Sequence, residues 1–179
     1  MTPVTAENAR VLWHVLQQPD LRAYQDLPSL GATAFSELVA RRPKELRPGA
    51  AGRFEWIVFR HGGRRALGWV SLRLAEREPR VAEIGYSILR EARGQGVATE
   101  AVHTLIGEAF QSADLERVRA FCLAENAPSR RLLSRLGFRA DGVLHHGASV
   151  SGRTVDVLAH VMDRASFHSE KSMEIPAFA

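Results

Sequence analysis

The chain holds one cysteine, Cys122, and two lysines, Lys44 and Lys171, in 179 residues. A single cysteine excludes an intrachain disulfide. Cys122 lies in the apolar stretch Arg117–Leu123 and reads as a small core residue, since a reactive thiol needs an electropositive or histidine neighbour that adjacency does not supply. Also lacking is any apolar run long enough to span a bilayer. The opening Met1-Thr2-Pro3-Val4-Thr5 has no charged-then-apolar signal pattern, so the expectation is a cytoplasmic chain. With so little lysine, the net charge of +4 rests on arginine, in scattered pairs: Arg41-Arg42, Arg64-Arg65 and Arg130-Arg131. No basic run of the kind that marks a nucleic-acid tail is present. Solvated arginines are the plain reading. Arginines serving an anionic ligand are the narrower one.

What is present suits one domain with a full core, as apolar residues make up 45 % of the chain. Residues 6–17 carry Ala9, Leu12, Trp13 and Leu16 at helical spacing behind Thr5 as N-cap, and 33–42 reads as a shorter helix stopped before Pro43. Strands are expected at Phe54–Phe59, Ala66–Leu74 and Arg80–Leu89, the first two joined by the turn His61-Gly62-Gly63-Arg64. A helix over 96–112 follows, with Ala98, Ala101, Val102, Leu105, Ala109 and Phe110 on one side. Then come a strand Arg117–Leu123, a helix opening near Asn126 with Pro128 in its first turn and Gly137 after its end, and two strands around Ser151-Gly152. Residues 166–179 show no pattern. The order predicts an α/β (α+β) chain, a mixed sheet with helices packed on it, as one domain over 1–168 with a tail at 169–179.

The most telling segment is Arg93-Gly94-Gln95-Gly96-Val97-Ala98, between a strand and a helix start. Two glycines and no acid let several backbone N–H groups converge at a helix N-terminus, where partial positive charge attracts phosphate. No Gly-Lys-Ser/Thr follows, which excludes a P-loop. Thr99 stands where a dinucleotide fingerprint wants its third glycine, and the preceding strands read as hairpins rather than βαβ units.

The pattern Arg93-x-x-Gly96-x-Ala98 resembles the acetyl-CoA signature of the GNAT family of N-acetyltransferases, in its RimJ/RimL-like branch. The resemblance runs through Glu83-Ile84-Gly85-Tyr86, Gly94–Ala101, Ala124–Leu133, Leu136-Gly137-Phe138 and Gly152–Asp156, covering residues 54–162. It implies a mixed, mostly antiparallel sheet splayed where acetyl-CoA binds, and acetyl transfer to a primary amine. The resemblance implies that the amides of Arg93, Gly94, Gln95, Gly96, Val97 and Ala98 hold the pyrophosphate, with Thr99 adding a hydroxyl. It implies that Ile88, Leu89 and Arg90 run beside the pantetheine arm, and that an N–H near Ile88 polarises the thioester carbonyl. Asn126 matches the family's pantetheine-contacting asparagine, with helix capping as the structural alternative. Ser129 matches a serine near the coenzyme sulfur.

Amine acetylation requires a proton acceptor, and the resemblance implies Glu83 as that base, since several family members carry a catalytic glutamate on this strand at a similar offset from the glycine turn; the alternative is a strand carboxylate paired with an arginine. The chain departs from the family pattern at Leu133, where many members carry a tyrosine that serves the leaving thiolate; either Ser129 or water takes its place, or the thiolate leaves unaided. Met1–Thr5 leaves little room for the family's first strand, so the sheet is expected to lack it or to hold only a remnant. His145 and His146 are expected on opposite faces of a strand, as polar surface rather than a metal site. Asp156 is expected to orient an amine or to pair with Arg153. No residue stands out as an acyl-enzyme nucleophile, which favours direct attack in a ternary complex. The acceptor is a protein N-terminus or a small amine; no metal, nucleic acid or membrane is expected, and a homodimer is a family-level expectation. The rival is a non-catalytic acyl-CoA-binding domain on the same fold. Nucleic-acid binding rests on charge alone.

Overall fold

The structure, a computed structural model, describes residues 1–21, 30–150 and 152–170. Seven strands form one sheet: β1 (Thr2–Pro3), β2 (Gly52–Phe59), β3 (Ala66–Leu74), β4 (Val81–Ile88), β5 (Arg117–Leu123), β6 (Arg139–Val150) and β7 (Arg153–Asp163), in the order β1-β2-β3-β4-β5-β7-β6. Every neighbouring pair is antiparallel except β4 with β5. The helices are α1 (Ala9–Leu16), α2 (Ala32–Ala40), α3 (Val97–Ser112), α4 (Ala127–Arg135) and α5 (Arg164–Glu170).

Alternation along β3, β4 and β5 divides the sheet into two faces. One face packs Val70, Leu72, Ala82, Ile84, Ile88, Val118 and Ala120 against α3 (Val102, Leu105, Ile106, Ala109) and Leu133 of α4. The other sets Ile57 and Trp69 against Leu12, Val15 and Leu16 of α1 and Phe35 and Val39 of α2. At that second face's edge Glu55, buried at 7 % exposure, lies between Arg42 and Arg53 and ties the loop after α2 to the sheet.

Three local readings change, and one left open is settled. The first helix begins at Ala9, and Asn8 rather than Thr5 is its N-cap. The reason is that the Asn8 side chain accepts from Thr5 N–H (2.9 Å) and donates to Pro3 O (2.9 Å), which holds the chain out of helix until residue 9. The first strand is present as the remnant Thr2–Pro3, paired to Ile57 and Trp56. The region read as patternless begins with a helix, because Phe167 is buried against Phe110 and His103; residues 171–179 of the expected tail lie outside the described residues. Lastly, three residues of β6, 145–147, oppose Asp156 in a bulge. This breaks the expected alternation of His145 and His146, and His146 takes a φ of 55°. Asp156 accepts from His146 N–H (3.0 Å) and lies 3.2 Å from His145 Nδ1, so it holds the bulge rather than pairing with Arg153.

Candidate active site

Strands β4 and β5 stay together for four residue pairs, Val81↔Arg117 to Ile84↔Ala120, and then part. Beyond that point Gly85–Ile88 pair only with β3, and Phe121–Leu123 pair only with β7. A sheet with strands diverging at its middle exposes backbone groups that water or a ligand must satisfy. Leu89 N–H donates to Leu67 O of β3 at 2.8 Å. Ladder alternation therefore turns the N–H groups of Tyr86 and Ile88 toward the gap.

The gap is a cavity of about 310 Å³. Its walls include Gly85–Ile88 of β4, Arg93 and Ala98 at one end, Phe121–Leu123 of β5, and Asn126, Ser129 and Leu132 of α4. At the Arg93 end, Gly94 and Gly96 have φ of 73° and 79°, values that disfavour side chains, and a Cβ on either would meet nothing within 4 Å. Gly96 is the N-cap of α3 and no side chain caps it. The first N–H groups of α3 thus face open space with no intrahelical partner, the arrangement that suits a phosphate. The turn is braced from behind: Arg93 Nε donates to Ile88 O (2.9 Å), and Gln95 donates to Glu91 O (2.7 Å) and accepts from Arg60 (3.0 Å).

Asn126 caps a helix at the wall of the gap. Its Oδ1 accepts from Ser129 N–H at 3.2 Å as the cap of α4, and the residue lines the gap. Ser129 Oγ lies 2.7 Å from the hydroxyl of Tyr86, which reaches it from β4. Burial pushes the Tyr86 phenol up to about 12. Burial likewise raises the Cys122 thiol, which is within hydrogen-bond reach of Ser129. Leu133, where a tyrosine was sought, is fully buried in the core.

A second cavity, of about 760 Å³, lies on the face that carries Glu83 and shares Phe121, Cys122 and Leu123 with the first. Arg73, Glu78 and Arg119 line it, and Leu144 and Gly147–Val150 of β6 form its far wall. Glu83 is ion-paired with Arg73, and Arg119 with Glu78 at 3.0 Å.

Of the residues singled out in the sequence, Ile88, Arg93, Ala98, Asn126 and Ser129 line the gap. Gly94, Gln95, Gly96, Val97 and Thr99 form the turn and first helical turn at its end, and Arg90 opens the 3₁₀ turn Arg90–Ala92 beside them. The Leu89 side chain is buried among α1 and α2 and leaves only its backbone near the strand end. Glu83 belongs to the second cavity. Tyr86 was quoted in the motif but given no role; its proximity to Ser129, 43 positions away, is tertiary and has no local signature. Among the described residues no group of three or more histidine, cysteine or acidic side chains is placed to hold a metal ion.

Residues 1–139 match the family model described as Acetyltransferase (GNAT) domain. The chain belongs to the GNAT family. Its members are acetyltransferases that use acetyl-CoA, and the chain is an N-acetyltransferase by this membership and by its relatives. It is 32 % identical over 152 residues to "Uncharacterized N-acetyltransferase p20" of Bacillus licheniformis, covering 84 % of each chain. It is 34 % identical over 104 residues to "Putative ribosomal N-acetyltransferase YdaF" of Bacillus subtilis, covering 58 % of this chain and 57 % of the relative. The solved structure of Mycobacterium smegmatis RimJ in complex with CoA-disulfide superposes with a TM-score of 0.73 at 21 % identity, over 95 % of this chain and 86 % of that one. The fold of this chain is thus shared with that structure.

Proposed function

We propose that this GNAT enzyme moves acetyl from acetyl-CoA to a primary amine by direct attack, with both substrates bound at once. The observation that carries the reading is the pair of cavities meeting at Phe121, Cys122 and Leu123. A thioester lying in the gap and an amine lying in the cavity of Glu83 then face each other across one strand end, with no need for a covalent carrier. Cys122 is the one thiol in the chain, and the upward push on it by burial keeps it protonated and a poor nucleophile.

Acetyl-CoA supplies the activated acyl group. The amides of Arg93–Ala98 hold its pyrophosphate, with Thr99 adding a hydroxyl, and the open φ-positive glycines give it close approach. Asn126 and the gap-facing backbone of Tyr86 and Ile88 hold the pantetheine arm, with Leu89 and Arg90 continuing the strand end beside it. The N–H of Ile88 stabilises charge developing on the carbonyl oxygen. As the N–C bond forms, the amine proton passes to the Glu83 oxygen not bonded to Arg73, directly or through water. The C–S bond breaks with its electron pair on sulfur, beside Ser129.

The acceptor is a protein N-terminus or a small amine. Its cavity carries Arg73 with Glu83 and Arg119 with Glu78, a wall of balanced charge. The test is initial-rate kinetics with a panel of N-terminal peptides and small amines, corrected for hydrolysis. Intersecting double-reciprocal lines support the ternary complex; parallel lines contradict it. A second reading, a non-catalytic acyl-CoA-binding domain, draws on Glu83 being held by Arg73 and on Leu133 being sealed in the core. Coenzyme A binding with no acceptor acetylated would favour it.

A further inference from the structure

Two hydroxyls from different elements meet on the wall of the gap. Tyr86 comes from β4 and Ser129 from the first turn of α4, with 2.7 Å between their oxygens. Ser129 is fixed by its own N–H, which donates to Asn126. Ser129 is also within hydrogen-bond reach of the thiol of Cys122, a residue common to both cavities. A reacting thioester must lie near that shared wall if the acetyl group is to reach the acceptor. The Tyr86–Ser129 pair is thus already joined beside the wall where the sulfur must pass.

We propose that the Tyr86 hydroxyl donates to Ser129 Oγ and so turns the Ser129 O–H toward the sulfur of coenzyme A, where it stabilises the departing thiolate. Ser129 is the catalytic residue, since it touches the reacting sulfur. Tyr86 acts through it as a positioning residue. This rests on the acetyltransferase reading and deepens it: the pair takes the place of the tyrosine that Leu133 does not supply.

The pair works as a hydrogen-bond donor and not as an acid. A thiol has a pKa of about 8.5, whereas the Tyr86 phenol is pushed up to about 12, and a serine hydroxyl is less acidic than a phenol. Proton transfer from either hydroxyl to the thiolate is therefore uphill. When the C–S bond breaks, the electron pair stays on sulfur and both hydroxyls keep their protons. The raised phenol serves this design, because Tyr86 remains a donor throughout the range in which the amine is neutral.

The test is the pKa of the thiol of bound coenzyme A, followed by thiolate ultraviolet absorbance as pH is raised. A Cys122→Ala background leaves the ligand as the only titrating sulfur. Coenzyme A should titrate below its free value on this protein. Tyr86→Phe, which keeps the ring and the packing, should raise the bound value by about one unit, a tenfold loss of thiolate preference. Ser129→Ala should do at least as much, and the double variant should add little to Ser129→Ala alone. An unchanged bound-thiol pKa in Tyr86→Phe, with coenzyme A still bound, would overturn the proposal. So would the disappearance of an alkaline limb of kcat in that variant, which would make Tyr86 an acid. Failure of the parent protein to bind coenzyme A would instead overturn the cofactor reading beneath it.

Discussion

Ile84 and Ala120 are the last residues at which β4 and β5 remain paired. One residue further, β4 pairs only with β3 and β5 only with β7, and the gap opens between them. Because side chains alternate along β4, Glu83 and Tyr86 project from opposite faces. Glu83 lines the larger cavity, and Tyr86 reaches Ser129 on the side of α3 and α4. The two cavities share Phe121, Cys122 and Leu123.

Glu83→Gln should lower kcat/KM by roughly 10²–10⁴-fold if the carboxylate takes the amine proton. The Arg73–Glu83 pair is partly exposed on both sides, so stability should change by less than about 1 kcal/mol. Steady-state kinetics beside a urea melt separate the two effects. A wild-type rate in the variant would assign the proton to water.

Gly68→Ala should disturb both stability and the site. A Cβ at Gly68 would stand 2.2 Å from Ser87 O and 2.9 Å from Ile88 Cα, and neither backbone atom can yield without moving the end of β4. Overpacking of this kind costs about 1–3 kcal/mol. Denaturant midpoints should fall accordingly. Coenzyme A affinity should fall with them, since Ser87 and Ile88 line the gap.

Asp163 controls part of the acid stability. It accepts from Arg117 of β5 at 2.8 Å and Arg139 of β6 at 3.1 Å, and these hydrogen bonds hold its carboxyl below the usual range. A carboxyl with a folded pKa below its unfolded value of about 3.9 adds stability that is fully present above that value. That stability is lost as pH falls through the folded pKa. Asp163→Asn should therefore be less stable than wild type at about pH 7, and the deficit should shrink below about pH 4. Urea midpoints across that range check it; a constant deficit would mean that charge is not the cause.

The elements were legible where one force dominated. Strands Ala66–Leu74 and Arg117–Leu123 run to the residues expected, because apolar patterning bounded by turn residues marks them. The helix over 97–112 was legible from its stripe, and its glycine start from turn chemistry. Thr5 misled because the Asn8 side chain binds Thr5 N–H and Pro3 O and delays the helix start, and the helix after β7 was missed because its signal is the lone Phe167 anchor. The glycine turn and the position of Ser129 came from motif spacing. The Arg73 partner of Glu83, the Tyr86–Ser129 bond and the bulge at His145 did not, since each depends on register between strands or on an element far along the chain. Sequence periodicity carries no record of register.

The central claim is that the turn at Gly94 and Gly96 holds the phosphates of acetyl-CoA, and calorimetric titration with acetyl-CoA tests it most directly. Gly96→Glu is the control: its backbone φ of 79° makes any side chain strained, at a cost of about 1–2 kcal/mol that the fold should survive. The carboxylate also enters the space meant for phosphate. Micromolar binding by the wild type, lost in a variant that still melts cooperatively, is the predicted result. No binding by folded wild type, or equal affinity in the variant, would contradict the account.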